Sequence, residues 1–481
     1  MKKSLYLISV ALLGFLSLTA CGQKESSGDN EKNNNEQQDT TPKKTITYRS
    51  WDYGTEAQNN EERQLVAAFE KAENVKVKIV ENIVQGDGYW DGVKASIINK
   101  IDLADVMMIP NLDQPLAAQY LLNIKEYADA DPEFATVNPS IREACTFKNG
   151  IYAVPARLNL QGYYANTTLL GQIGVETRGL NCSSPYSVIE EIIQKASAVQ
   201  GVVALSSAAH YIDTMASVFD ESGQLGYFTW DGEKYNLDNQ AFIRGVQAAK
   251  EIFEAKKSLD AYTVEDLEAI NADTEAPLTY LWNNGKLALR YGYTYEAPDI
   301  VENNQTNNSY AFIGNPGGKV TIVGDYYGIY KETKEPELAY KFAKWMSFGK
   351  QGFSQRMELY KEKGAINTLP MVDDDDLVEK YFEYFGDSST LRGLANAYDY
   401  CLTKGMVEGT KVIPGYNLAR YNKKTGIKVG ETENATMFFL LDACYKSGDD
   451  ITKYTSGSTN INTIANSTYT NWLNLYGGNY E

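Results

Sequence analysis

Between residues 46 and 110 the sequence alternates between two hydrophobic periods, and that alternation restricts what the chain can build. Residues 46–51 (ITYRSW) read as a strand that ends in a polar aromatic loop, 52–55 (DYGT). From about residue 60, Leu65, Phe69 and Ala72 fall on one face of a helix. Residues 75–80 (VKVKIV) alternate as a half-buried strand does. A further helical stretch runs from about 88 to 99, and 104–110 (ADVMMIP) is the continuous apolar run of a strand covered on both faces. Strand, helix, strand, helix, strand implies a parallel sheet with right-handed crossovers. Ligands of such sheets sit beyond the carboxyl ends of the strands, which puts residues 51–55 at the mouth of a site.

The same reading continues downstream. Two short extended pieces occur at 150–155 (GIYAVP) and 162–166 (GYYAN), then a helix over 188–199 and a strand at 201–205 (GVVAL). Phe242, Val246, Ala249 and Phe253 mark an amphipathic helix with Asp238 as its expected N-cap. Strands are expected at 286–291, 310–313 and 320–323, followed by 324–329 (GDYYGI). Pro336 opens a helix whose core face carries Leu338, Phe342, Trp345 and Met346. Residues 373–376 (DDDD) lack calcium-loop spacing and precede a helix, where acids suit the dipole; they read as a cap. The last hundred residues read as mostly helical, with a basic patch near 422–428.

Residues 1–20 combine a basic start (MKK) with an apolar run and small residues, the pattern of a secretory signal. The apolar run falls short of the roughly 20 residues of a comfortable span. Leu18, Thr19, Ala20 and Cys21 resemble the bacterial lipobox, whose cysteine is acylated. Residues 21–44 then carry no large apolar side chain and cannot offset the entropy of ordering, so they read as a flexible linker behind a lipidated Cys21. Membrane contact is thus expected through lipid alone. A net charge of −18 disfavours nucleic acid and anionic lipid surfaces. Cys145, Cys182, Cys401 and Cys444 match no zinc spacing. Burial as small hydrophobes is favoured for them, and Cys401 with Cys444 is the disulfide to test. The single histidine, His210, gives no histidine-based metal or hydrolase set, and no cofactor or metal is expected.

The order of these pieces resembles the extracellular solute-binding proteins of ABC sugar importers, the group similar to maltose-binding protein. The resemblance rests on 61–70 (EERQLVAAFE), on 103–106 (LADV, with alanine where proline is usual) and on 149–155 (NGIYAVP) with 163–166 (YYAN). It rests further on 282–292 (WNNGKLALRYG), 324–329 and 333–342 (TKEPELAYKF). It covers most of residues 45–370, and it departs at 185–187 (PYS) and over the C-terminal hundred residues. It implies an α/β, two-lobed fold of the periplasmic-binding-protein type, each lobe a mostly parallel sheet flanked by helices, with a hinge and a ligand cleft between lobes. One lobe would hold 45–160 plus 276–330, the other 161–275 plus 331–481.

A sugar presents apolar C–H faces and a rim of hydroxyls. Flat aromatics match the faces, while carboxylates, amides and arginine satisfy hydroxyls whose unpaired burial costs about 1–3 kcal/mol each. Among the 35 tyrosines, several fall at the loops expected to form the cleft. Carried over by position, the ligand-binding candidates are Trp51, Asp52 and Tyr53, Arg157 and Asn159, Tyr163, Tyr291 and Tyr293, and Asp325 with Tyr326. Tyr211 and Trp230 are candidates from the second lobe.

The expected function is a monomeric, non-enzymatic receptor, lipid-anchored on the outer face of a bacterial cell membrane. It captures an oligosaccharide by closing two lobes and delivers it to permease subunits of an ABC importer. The alternatives are an extracellular glycosidase or lyase, which needs two carboxylates about 5–10 Å apart across the scissile bond, and a binding protein for a non-sugar solute such as a peptide.

Overall fold

Alternation at the head of the chain does produce a strand: Ile46 and Tyr48 turn inward from a pairing in which both neighbours run parallel. The structure, a computed structural model, describes residues 44–80, 88–101, 103–364, 366–412, 416, 427–429, 433–435, 444–446, 448–455 and 460–480. Cys21, the signal segment and the linker up to residue 43 lie outside the described residues, as does most of the basic patch at 422–428.

The strands are β1 Thr45–Arg49, β2 Lys76–Ile79, β3 Val106–Ile109, β4 Thr146–Phe147, β5 Gly150–Ile151, β6 Val154–Asn166 and β7 Val203–Leu205. They continue with β8 Leu287–Tyr293, β9 Tyr310–Phe312, β10 Val320–Ile329, β11 Leu391–Arg392 and β12 Gly405–Val407. One large sheet takes all of these except β4 and β5, which form a small hairpin. Its wings are parallel: β1 lies between β2 and β3 in one, β7 pairs β8 and β9 pairs β11 in the other. The antiparallel ladders belong to β6 and β10, which pair with each other and join the wings. The two short extended pieces expected near 150–166 are in fact a hairpin strand followed by one unbroken strand, β6, buried along its whole length. Arg157, Asn159 and Gln161 alternate with Leu158 and Leu160 along its middle, but Pro155 and Gly162 inside it read as strand ends, which splits the segment in the sequence.

Successive side chains of a strand point to opposite faces, and this sorts the interior into three cores. Val106 and Met108 join Leu158, Leu160, Phe69 and Phe342 on one face of the sheet. Met107 and Ile109 join Tyr89, Leu112, Leu116 and Phe147 on the other face of the first wing. Tyr163, Ala165, Leu289 and Tyr291 join Ile192, Phe242 and Trp230 on that second face at the other wing. The helices Pro336–Trp345, Lys350–Tyr360, Asp375–Phe385 and Leu394–Lys404 pack into the first core, where Phe342 meets Phe69 edge-on and Trp345 Nε1 donates to the Leu65 carbonyl. From the segment 331–481, Tyr416, Cys444, Tyr454, Ile461 and Ala465 belong to the core around Phe242.

Local signals hold in detail. Asn60 caps the helix Glu61–Glu73 by accepting from the Arg63 amide, and Asp374 caps Asp375–Phe385 by accepting from Leu377. Asn239 rather than Asp238 caps Gln240–Glu254, accepting from the Ala241 amide. All four downstream cysteines are free and buried. The Cys401–Cys444 pairing does not form, because Cys401 sits in the core with Tyr398 and Cys444 in the core with Phe242. Among the described residues no helix is long and apolar enough to cross a membrane, and no group of three His, Cys, Asp or Glu could hold a metal ion.

Candidate functional site

On the second face of the sheet, between the core around Phe147 and the core around Trp230, lies a cavity of about 930 Å³. Leu112, Phe147 and Lys148 wall one side, and Tyr227 and Trp230 the other, while Met406 of β12 and Lys411 complete the lining. Trp230 is nearly buried, its ring held edge-on between Tyr235 and Tyr469 at 5.2 Å from each. Two consecutive residues before it, Phe228 and Thr229, adopt left-handed backbone (φ 53° and 52°). Such conformations cost non-glycine residues about 1–2 kcal/mol each and persist where the surroundings enforce them. Here Thr229 Oγ1 donates to the Asn236 carbonyl at 3.0 Å.

Beside the cavity runs an arc of charged and phenolic groups set by the β6, β8 and β10 ladders. The β10–β6 register puts Asp325 opposite Arg157, and a bulge follows between Asp325 and Tyr326, a device common beside binding sites because it re-aims side chains. Arg157, 4% exposed, donates to Asp52 Oδ2 at 2.6 Å and lies 3.2 Å from Glu62 Oε2. Glu62 is clamped from its other side by Arg356 and accepts from Tyr360 at 3.1 Å. Burial alone would raise the Glu62 carboxyl, but the two guanidinium groups outweigh it and hold the group below the ordinary carboxylate range. Asp52 goes the other way: burial raises it and Arg157 only partly offsets that, with Glu62 and Asp325 adding to the rise.

Lys411 joins this arc to the cavity. Its Nζ lies 3.2 Å from Asp325 Oδ1 and 3.6 Å from Glu408 Oε1, and it also donates to the Pro110 carbonyl. Its own carbonyl accepts from the Tyr326 hydroxyl at 3.2 Å. On β8, Tyr293 stacks on Tyr295 at 5.0 Å with rings 10° from parallel. The Tyr295 hydroxyl is pushed up to about 12, first by burial, then by the Glu296, Asp325 and Glu408 carboxylates. The β6–β8 register makes Tyr163 and Tyr291 direct cross-strand partners, which accounts for their edge-to-face contact at 4.9 Å. His210 stacks on Tyr291 at 3.7 Å.

The structure therefore brings Asp52, Arg157, Asp325 and Tyr326 into one neighbourhood, and Tyr163, Tyr291 and Tyr293 onto adjoining positions of β6 and β8. Tyr211 is fully buried in the core beside Tyr186. Trp51 packs edge-on against Tyr89 at 5.1 Å at the end of β1. Tyr53 is buried in the first core with its hydroxyl on the Val80 carbonyl. Asn159 bonds Thr294 and the Asn367 carbonyl and lines a separate cavity of about 440 Å³. Sequence reasoning missed Lys411, Glu408, Tyr227 and Tyr295. Tyr295 was within reach, two residues beyond Tyr293 in the same segment. Lys411 and Glu408 come from the C-terminal region, where nothing in the sequence pointed to the site.

Known proteins share this architecture. A family profile described as "Bacterial extracellular solute-binding protein" matches residues 64–385. An ABC substrate-binding protein from Listeria monocytogenes, in complex with cycloalternan, superposes with a TM-score of 0.59 at 15% identity, over 90% of this chain and 99% of that one. The GacH receptor of Streptomyces glaucescens, solved unliganded and with acarbose, gives 0.59 at 16% identity, over 91% and 100%. A sugar transporter from Rhizobium etli in an open conformation gives 0.63 at 14%, over 89% and 99%. No curated protein matches the sequence. With a profile match over well more than half of its length, the chain belongs to the bacterial extracellular solute-binding proteins.

Proposed function

We propose that this chain is the lipid-anchored receptor of an ABC importer, that it captures an oligosaccharide between two hinged lobes, and that it hands the ligand to permease subunits unchanged. The observation that carries the proposal is the cavity of about 930 Å³ walled by two separate hydrophobic cores and flanked by the tyrosine–carboxylate arc. A volume near the top of the usual range for small-molecule sites suits a ligand of several rings. Aromatic walls match the apolar faces of pyranose units, and fixed carboxylates match their hydroxyls. The bound saccharides of the Listeria and Streptomyces proteins support the same ligand class. In this reading β6 and β10, which join the wings, carry the hinge, and Cys21 tethers the receptor and raises its concentration at the membrane.

Calorimetric titration with neutral oligosaccharides, run beside a peptide panel, tests the proposal. Saturable one-to-one binding of a saccharide with no product on chromatography is the expected result. Turnover, or binding of peptides alone, overturns it. Mass spectrometry of the membrane-extracted protein tests the tether: an acylated Cys21 at the mature N-terminus is expected, and a Cys21→Ser chain should appear in the medium.

A further inference from the structure

At the end of β8, three elements converge on a buried polar cluster that adjoins the cavity through Tyr227, which lines it. The helix His210–Asp213 brings its two terminal side chains together, with His210 Nδ1 3.7 Å from Asp213 Oδ1, beyond hydrogen-bond reach. Both atoms are buried and neither has a hydrogen-bond partner. The hydroxyl of Tyr163, a fully buried residue, is likewise without a partner. Asp213 lies close enough to Tyr163 to raise that hydroxyl further, after burial and Tyr291. The other Asp213 oxygen, Oδ2, accepts from the Tyr227 hydroxyl at 3.4 Å. Buried polar atoms in native proteins are almost always paired, so a cluster of them is completed by a group from outside the chain, water or ligand.

The charge of this cluster selects the group. Arg157 and Lys411 are the cations of the adjoining arc, and both are engaged by Asp52, Glu62, Asp325 and Glu408. Among the described residues no lysine or arginine forms an ion pair with Asp213. A carboxylate in that setting accepts hydrogen bonds and repels anions.

We propose that Asp213, His210 and the Tyr163 hydroxyl form a specificity subsite that receives a hydrogen-bond-donating group of the ligand, a sugar hydroxyl or ammonium, and rejects carboxylated or phosphorylated saccharides. This rests on the saccharide reading of the cavity. Asp213 Oδ1 accepts from the ligand group, and His210 fixes the carboxylate's surroundings from the Tyr291 face.

The test is calorimetry on the full chain in detergent with three probes: maltotriose, the glucosamine trimer and the galacturonate trimer. The wild type is expected to bind the neutral or the amino trimer and to take the uronate at least ~100-fold more weakly. Asp213→Asn should weaken the bound trimer about tenfold, roughly 1.4 kcal/mol, and narrow the discrimination against the uronate. Its ligand-free unfolding temperature checks that it is folded. Tyr163→Phe, which removes only the hydroxyl, should also weaken binding and serves if Asp213→Asn does not fold. Glu302→Gln, in the separate cavity beside Asn159, should change nothing. Wild-type binding of the uronate as tight as that of the neutral trimer overturns the subsite. So does unaltered affinity in a folded Asp213→Asn, or in Tyr163→Phe where it stands in, and either outcome leaves the saccharide reading standing. If none of the trimers nor any wider saccharide panel binds, the saccharide reading fails and the subsite falls with it.

Discussion

Glu62 shows how a single buried carboxylate can hold the charges of the candidate site in place. Its carboxylate is 3% exposed between Arg157 and Arg356, and Arg157 passes the interaction on to Asp52. Removing one member of a buried ion network strands the others, at a cost of about 3–5 kcal/mol. Glu62→Gln is therefore expected to lose that much in urea unfolding. Its pH profile should change as well. Because the folded-state carboxyl is held below its unfolded value, the stabilisation is complete above the unfolded pKa, about 4.5, and is lost as pH falls through the lowered folded value. The wild-type unfolding temperature should thus drop across that acidic window, and the Gln variant should lack this part of the drop. Arg157 and Asp52 were legible in the sequence because each follows a strand signature. Glu62 was hidden, since it sits in the first turn of a helix where acids are ordinary. A helical wheel gives no warning that two distant arginines will close on it.

Elements set these side chains by close backbone approach and by caps. Gly162 of β6 lies so near the backbone of Gly314 that a Cβ would fall 2.5–2.7 Å from its atoms. At that distance the backbone, not a flexible side chain, has to move. Gly162→Ala should therefore cost about 1–3 kcal/mol, the usual penalty of overpacking, measured by thermal unfolding, and should loosen the Tyr163–Tyr291 pair one residue on. Asn60 acts at the other end of the site. Its Oδ1 caps the helix Glu61–Glu73 and its Nδ2 donates to the Asp52 carbonyl at 2.8 Å, so one residue ties the helix start to the loop. Asn60→Ala should remove about 1 kcal/mol and speed amide exchange across residues 52–55. Elements with period signals, such as the helix on Phe242 and Val246, were readable from spacing alone. The union of two extended pieces into β6 was not, because Pro155 and Gly162 lie inside the strand and read as its breaks.

Across the whole molecule, one helix spans the two sides of the cavity. Ile461–Tyr476 begins in the core around Phe242 and ends in the core around Phe147, and its Tyr469 and Leu473 line the cavity between them. Its first half is fixed to the second wing: Asn466 exchanges two hydrogen bonds with the Tyr235 backbone, and Asn462 accepts from the Leu237 amide. Its last turn is fixed to the first: Trp472 and Tyr480 pack edge-on against Phe147, and Lys148 Nζ donates to the Gly477 and Tyr480 carbonyls. The Tyr480 hydroxyl closes the link on the Leu116 carbonyl. Hinge closure displaces one wing against the other, so a helix fastened at both ends has to bend, slide or let go. The carbonyl bonds at the last turn rest on two side chains, Lys148 and Tyr480, so two substitutions release that fastening. Lys148→Ala combined with Tyr480→Phe deletes those bonds and keeps the aromatic packing. Small-angle scattering should then show a larger ligand-free radius of gyration and a larger contraction on saccharide binding than in the wild type. Equal radii in both proteins would mean that β6 and β10 alone fix the opening, with the terminal helix a passenger on one wing.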